Sequence, residues 1–183
     1  MPITRIYDQS DFPAILKWQA LAFMRVEWPY IFEDDELFLT ETYPPELNPI
    51  HFVVTEGETL MSYAAMVRTT LVHVGETFRV YGFGNMFTFP PYRKEGHGHK
   101  LLGMATELIE TSDVDVGILY CDEKVESFYA AKGWIKMASP TRFGDPAQYE
   151  DGEEQRMMVF VSEKGRRYRH AFEEQPLYVD WTW

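Results

Sequence analysis

A chain of 183 residues, 45% apolar and 16% aromatic, has the hydrophobic content of a single folded domain spanning residues 1–183, with no large disordered part expected. Its formal net charge of −12 speaks against a surface built to neutralise nucleic-acid phosphates and favours cationic partners instead. The lone cysteine, Cys121, excludes an internal disulfide and a thiol-rich metal site. Asp8 and Asp11 break the basic-then-apolar order of a signal peptide, and no apolar run reaches the length of a membrane span. The expectation is a soluble cytoplasmic protein, monomer or homodimer, with no membrane and no nucleic acid among its partners.

Ile3 to Tyr7 reads as a first strand, after which Ser10 or Asp11 can cap a helix. Its apolar positions Ile15, Leu16, Trp18, Leu21, Ala22 and Phe23 recur at helical spacing, and it ends near Arg25. From Glu27 to Pro49 the prolines and the acidic run Glu33-Asp34-Asp35-Glu36 predict a loop with room for one short helix. His51 to Thr55 and Thr59 to Val74 form a strand pair around Glu56-Gly57-Glu58, and Gly75-Glu76 supplies the next turn. Phe78 to Phe89 is a long strand in which Gly82 and Gly84 suggest a bulge or a close ligand approach, and Pro90-Pro91 stops it.

Leu101, Leu102, Met104, Ala105, Leu108 and Ile109 share one face of a helix from about Gly98 to Thr111, with Thr106, Glu107 and Glu110 left for solvent. Val114 to Tyr120 reads as a strand covered on both faces, Asp122 to Lys132 as a helix stopped by Gly133, and Trp134 to Met137 as the start of another strand. A polar stretch from Ser139 to Gln155 precedes a last strand, Arg156 to Val161, and a tail that ends in Asp180-Trp181-Thr182-Trp183. This order predicts an α+β fold whose sheet is largely antiparallel, with one βαβ crossover in its second half.

The turn Arg93-Lys94-Glu95-Gly96-His97-Gly98, between strand and helix, points several backbone N–H groups into one space and removes side chains from the approach. That is a cradle for a pyrophosphate. A Walker loop would end in Gly-Lys-Ser or Gly-Lys-Thr, whereas His99-Lys100-Leu101 follows Gly98 here. A dinucleotide fingerprint needs a third glycine where Leu101 stands. The pattern Arg-x-x-Gly-x-Gly, preceded by Tyr92, resembles the coenzyme motif of the GNAT N-acetyltransferases, and Ser127-Phe128-Tyr129-Ala130-Ala131-Lys132-Gly133-Trp134 resembles their second coenzyme segment.

The resemblance implies the GNAT fold, a mixed sheet of about seven strands flanked by helices, and acetyl-CoA as cosubstrate with no metal. Backbone N–H groups from Lys94 through Glu95, Gly96, His97 and Gly98 to His99 become the pyrophosphate ligands, with Arg93 adding charge. Met86, Phe87 and Thr88 run beside the pantetheine arm like an added strand. Tyr129 lies where the family places a tyrosine near the coenzyme sulfur, able to protonate the departing thiolate. Asp122 stands where many members carry an asparagine that contacts the pantetheine. Phe128 and Trp134 read as core, Cys121 as an inert core thiol, and His97 with His99 as turn residues rather than metal ligands.

The strand Tyr63-Ala64-Ala65-Met66-Val67, the stretch Thr70 to Gly75 and the tryptophans at the end of the chain are similar to the aminoglycoside 2'-N-acetyltransferases. That likeness makes Asp34, Asp35, Asp180 and the terminal carboxylate of Trp183 candidate ligands for a small cationic amine. Gly84 replaces the glutamate that serves those relatives as base, so the base is left open. Two other readings stay open: a coenzyme-binding sensor or scaffold without catalysis, and an acetyltransferase for peptide or protein N-termini.

Overall fold

The computed structural model describes residues 1–181, apart from the side chain of Asp35. The chain runs β1 (Ile3–Asp8), α1 (Ala14–Glu27), β2 (Ile50–Glu56), β3 (Thr59–His73), β4 (Glu76–Thr88), α2 (His97–Glu110) and β5 (Val116–Cys121). It continues through α3 (Glu126–Ala130), β6 (Ile135–Lys136), β7 (Thr141–Asp145), β8 (Gln148–Asp151), β9 (Gln155–Phe160), α4 (Glu163–Glu174) and β10 (Leu177–Val179). Seven strands form one sheet in the order β1-β2-β3-β4-β5-β9-β6, and three form a second in the order β10-β7-β8. In the large sheet β4 and β5 pair in parallel across the α2 crossover, while β1–β2, β2–β3, β5–β9 and β6–β9 are antiparallel. By contacts the chain divides into two compact units, Met1–Val67 with Asn85–Leu101, and Arg68–Gly84 with the remainder from Leu102.

In the first unit, Leu60 to Val67 of β3 is buried at every position, which is why this stretch reads as an unbroken apolar run instead of an alternating one. α1 packs Leu16, Ala20, Leu21, Phe23 and Met24 inward, and Phe23 stacks on Phe87 at 4.4 Å. Its start differs from the sequence reading. Ser10 and Asp11 belong to a separate 3₁₀ turn, Gln9–Asp11, and Pro13 stands at the N-cap with no side-chain cap bond. Of the predicted stripe, Leu16, Leu21 and Phe23 are buried, whereas Ile15 and Trp18 are each 51% exposed and Ala22 is exposed, because Ala20 and Met24 complete the packed face instead. The loop before β2 carries three 3₁₀ turns, Pro29–Ile31, Asp34–Glu36 and Pro45–Leu47.

In the second unit, Val74 and Gly75 both take positive φ, +47° and +79°, the conformation a two-residue hairpin turn requires, so the turn sits one residue earlier than predicted. Phe78, Val80, Val116, Ile118, Met137, Met158, Phe172 and Leu177 form its core. Three features depart from the sequence reading. The helix expected over 122–132 is a 3₁₀ turn, Glu123–Val125, followed by the five-residue α3, because the Asp122 carboxylate accepts from Lys124 N–H and sets the turn; Gly133 still ends it at φ +85°. Thr106, expected in solvent, is 5% exposed and accepts from the Trp134 indole at 2.9 Å. The stretch after Ser139 and the tail hold β7, β8, β10 and α4, which periodicity did not show.

α4 exists because Ser162 caps it, accepting from Gly165 N–H at 3.0 Å while donating to Asp115 at 2.7 Å. A Cβ on Gly165 would lie 2.1 Å from the Asp115 carbonyl oxygen, so only glycine permits this approach.

Candidate active site

In the first unit, β4 leads into the predicted cradle. Asn85 adopts φ +51°, placing the local distortion one residue after Gly84. Ser62 Oγ donates to the Phe87 carbonyl at 2.8 Å and lies 2.8 Å from Thr88 Oγ1, and Phe89 N–H donates to Met61 at 2.9 Å. The Phe87 ring packs against Phe23, Tyr63 and Phe89, so this residue offers a ligand its backbone rather than its side chain. Met86 and Thr88 are half-buried.

A 3₁₀ turn, Pro90–Tyr92, then delivers Arg93, whose Nε donates to the Thr88 carbonyl at 2.9 Å and whose Nη2 stands 3.6 Å from Glu27. Those bonds aim the guanidinium along the end of β4. Lys94 and Gly96 take φ +68° and +83°, curling the backbone before α2 begins at His97. Arg93, Lys94, Glu95 and Gly96 are exposed, and nothing lies within 4 Å of a Cβ built on Gly96. Lys100 N–H bonds the Gly96 carbonyl, which closes the first helical turn and leaves the His97 and Gly98 N–H groups at the positive end of a 14-residue helix. His97 Nε2 lies 3.1 Å from Glu95; His99 is exposed. Exposed donors, a left-handed glycine and a helix N-terminus fit a pyrophosphate.

In the second unit, Tyr129 sits on α3, 9% exposed, its ring edge-on to Phe128 at 5.1 Å. Burial, then the neighbouring Cys121 and Glu154, raises its phenol well above the ordinary range, so it holds its proton at neutral pH. Burial likewise pushes the Cys121 thiol up to about 11, which keeps it a poor nucleophile. Asp122 is exposed and engaged locally: it caps the turn after β5 and pairs with Lys124 at 3.5 Å, and those bonds lower its carboxyl. Glu154 is exposed, and partial desolvation followed by the Asp122 charge raises its carboxyl above the usual value.

Of the substrate candidates, Asp34 lies in a 3₁₀ turn at φ +46° and is exposed, and Asp180 is exposed just past β10. The side chain of Asp35 and all of Trp183 lie outside the described residues. Among the described residues, no group of three or more His, Cys, Asp or Glu side chains is placed to hold a metal, and no helix is long and apolar enough to cross a membrane.

Solved structures share this fold. Escherichia coli ElaA superposes with TM-score 0.56 at 18% identity, over 86% of this chain and 98% of its own. An acyl-CoA N-acyltransferase from Pseudomonas aeruginosa gives 0.56 at 15%, over 88% and 100%. Arabidopsis thaliana NAA60, solved with a bisubstrate analogue, gives 0.59 at 12%, over 88% and 99%. At such identities the likeness establishes the acyl-CoA N-acyltransferase fold. No curated protein matches the sequence. Residues 4–137 match the acetyltransferase (GNAT) domain family, and the chain belongs to it.

Proposed function

We propose that residues 1–183 work as one cytoplasmic acetyl-CoA-dependent N-acetyltransferase that modifies a primary amine of a small acceptor by direct transfer. One observation carries this reading: the Arg93–His99 turn opens α2 with exposed backbone donors and Gly96 at φ +83°. The pyrophosphate of the coenzyme docks there, and the edge of Met86–Thr88 pairs with the pantetheine amides. The amine nitrogen attacks the thioester carbonyl, the carbon–sulfur bond breaks, and the thiolate leaves with a proton. Tyr129, protonated at neutral pH, gives the departing sulfur a hydrogen bond and that proton, and the proton shed by the acylated nitrogen restores the phenol through solvent. Exposed Asp34 and Asp180 offer carboxylates to any further positive charge on the acceptor.

The deciding experiment is thiol release from acetyl-CoA across aminoglycosides, polyamines, amino-acid amides and short peptides. Amine-dependent release supports the enzyme. Tight coenzyme binding without release on any amine supports a sensor, a reading favoured by Asp122, whose carboxylate is already used in capping. Gly98→Trp should abolish coenzyme binding, and retained affinity in calorimetry would refute the cradle.

A further inference from the structure

Thr42, Tyr43, Tyr63 and Asn85 belong to the first unit, and three of them join in a buried polar network that coenzyme binding leaves unused. Tyr63 is fully buried, donates to Thr42 Oγ1 at 2.8 Å and stands 2.9 Å from His51 Nδ1. Asn85, left-handed at φ +51°, donates through Nδ2 to the Thr42 carbonyl at 3.0 Å, which ties the distortion of β4 to this network. Behind them His51 Nε2 lies 2.7 Å from Gln9 Oε1, and Gln9 donates to Glu41, which pairs with Lys17. An amide oxygen only accepts, so neutral His51 carries its proton on Nε2 and turns a lone pair toward Tyr63. The single Tyr63 proton therefore has two acceptors, His51 Nδ1 and Thr42 Oγ1.

Tyr43 stands apart from this network. It is 8% exposed, and its phenol oxygen is buried with no hydrogen-bond partner in the protein. A buried hydroxyl left unpaired weakens a fold and calls for a ligand that completes it.

We infer that Tyr43, with Thr42, Tyr63 and Asn85 beside it, seats the reacting amine in its uncharged form, so that α-amino groups are preferred over alkylammonium acceptors. This rests on the acyltransferase reading above. The seat offers two phenols, a hydroxyl and a carboxamide. Burial raises both phenols and lowers the neighbouring His51 to about 4, so none of them is charged near neutrality. The charged groups on the adjoining elements, Glu41 and Lys17, pair with each other. An ammonium would lose its hydration there and meet as opposite charge Glu41, which Lys17 already pairs, whereas a free amine can accept from a phenol and donate to its oxygen. A peptide α-amine titrates near 8 and a lysine-type amine near 10.4, so at pH 7.5 their free-base fractions differ by roughly two hundredfold. Chemistry then balances without an added base: the free amine displaces the thiolate, Tyr129 protonates the sulfur, and the proton shed by the acylated nitrogen restores the Tyr129 phenol through solvent.

Acetyl-CoA turnover is to be measured from pH 6.5 to 9.5 with amino-acid amides, short peptides, alkylamines and polyamines. At pH 7.5 the α-amines should exceed the alkylamines in kcat/KM by roughly thirtyfold or more, and each profile should rise to the pKa of its own acceptor. Equal rates for the two classes, or one common break for every acceptor, would overturn the seat. Comparing the amides with the peptides separates free from peptide-borne α-amines. Tyr43→Phe should raise the amine KM at least about fivefold, leave acetyl-CoA affinity unchanged, and raise Tm by about 2–4 °C as the unpaired hydroxyl goes. Unchanged amine kinetics or a lower Tm would count against it. Asn85→Gly keeps the left-handed turn and removes only the amide, and should also raise the amine KM; an unchanged KM overturns its part. Absence of acetyl-CoA binding by the wild-type protein would refute the coenzyme reading itself; binding and turnover with alkylamines preferred would refute the seat alone.

Discussion

Gly96 combines φ +83° with open space around its missing Cβ, so its role in the free protein is conformational. An alanine there strains the turn by about 1–2 kcal/mol. Gly96→Ala should therefore weaken acetyl-CoA binding by roughly tenfold in calorimetry while the protein stays folded. In the proposed mechanism Tyr129 acts through its hydroxyl, and Tyr129→Phe removes that group while preserving the packing against Phe128. That variant should lower kcat by about a hundredfold, the lower range for a positioned acid, with coenzyme affinity spared. Unchanged turnover in steady-state kinetics would remove Tyr129 from the mechanism. The turn at Gly96 was legible because glycine there announces a left-handed backbone, whereas Tyr129 was singled out by the family resemblance. Tyr43 and His51 were not legible, since a tyrosine beside two prolines and a histidine in a strand carry no local signal of burial or of partners.

At the scale of elements, α4 depends on two small residues that anchor its first turn. Ser162 accepts from Gly165 N–H and reaches Asp115, whose carboxylate also accepts from Arg79 N–H at 2.9 Å. Ser162→Ala should cost about 1 kcal/mol, the usual worth of a cap. Gly165→Ala drives a methyl into a backbone carbonyl and should cost about 2–3 kcal/mol, at the upper end for overpacking. Urea denaturation of both variants checks the order. Sequence periodicity passed over α4 because only Tyr168 and Phe172 mark its inner face among charged residues. The β7–β8 hairpin was hidden for a different reason: β8 is exposed throughout, and Arg142 helps hold it through Asp151 at 2.9 Å and by lying 4.1 Å from the Tyr149 ring.

Across the whole molecule, the buried network around His51 ties stability to pH. His51 is buried and held neutral, with its pKa near 4, while in the unfolded chain it takes a proton below about 6.5. Its contribution is present in full above pH 6.5 and is lost as pH falls toward 4, because the unfolded state then binds the extra proton. The expected loss is roughly 3 kcal/mol over that window. Urea midpoints measured between pH 7 and 4 should show this slope, and His51→Gln should flatten it. A slope identical in the variant would show that other groups carry the acid sensitivity.

Local chemistry alone marked β1 to β5, α2, β9 and the Arg93–Gly98 turn, because strand alternation, helical periodicity and glycine at a left-handed position all act between near neighbours in the chain. Tertiary structure decided which face of α1 is buried, that α3 is a single short helix, that β10 returns to pair with β7, and that His51, Tyr63, Thr42 and Asn85 share one network. Those outcomes depend on contacts between residues far apart in sequence, and no pattern within a short window records which distant side chain will supply the partner.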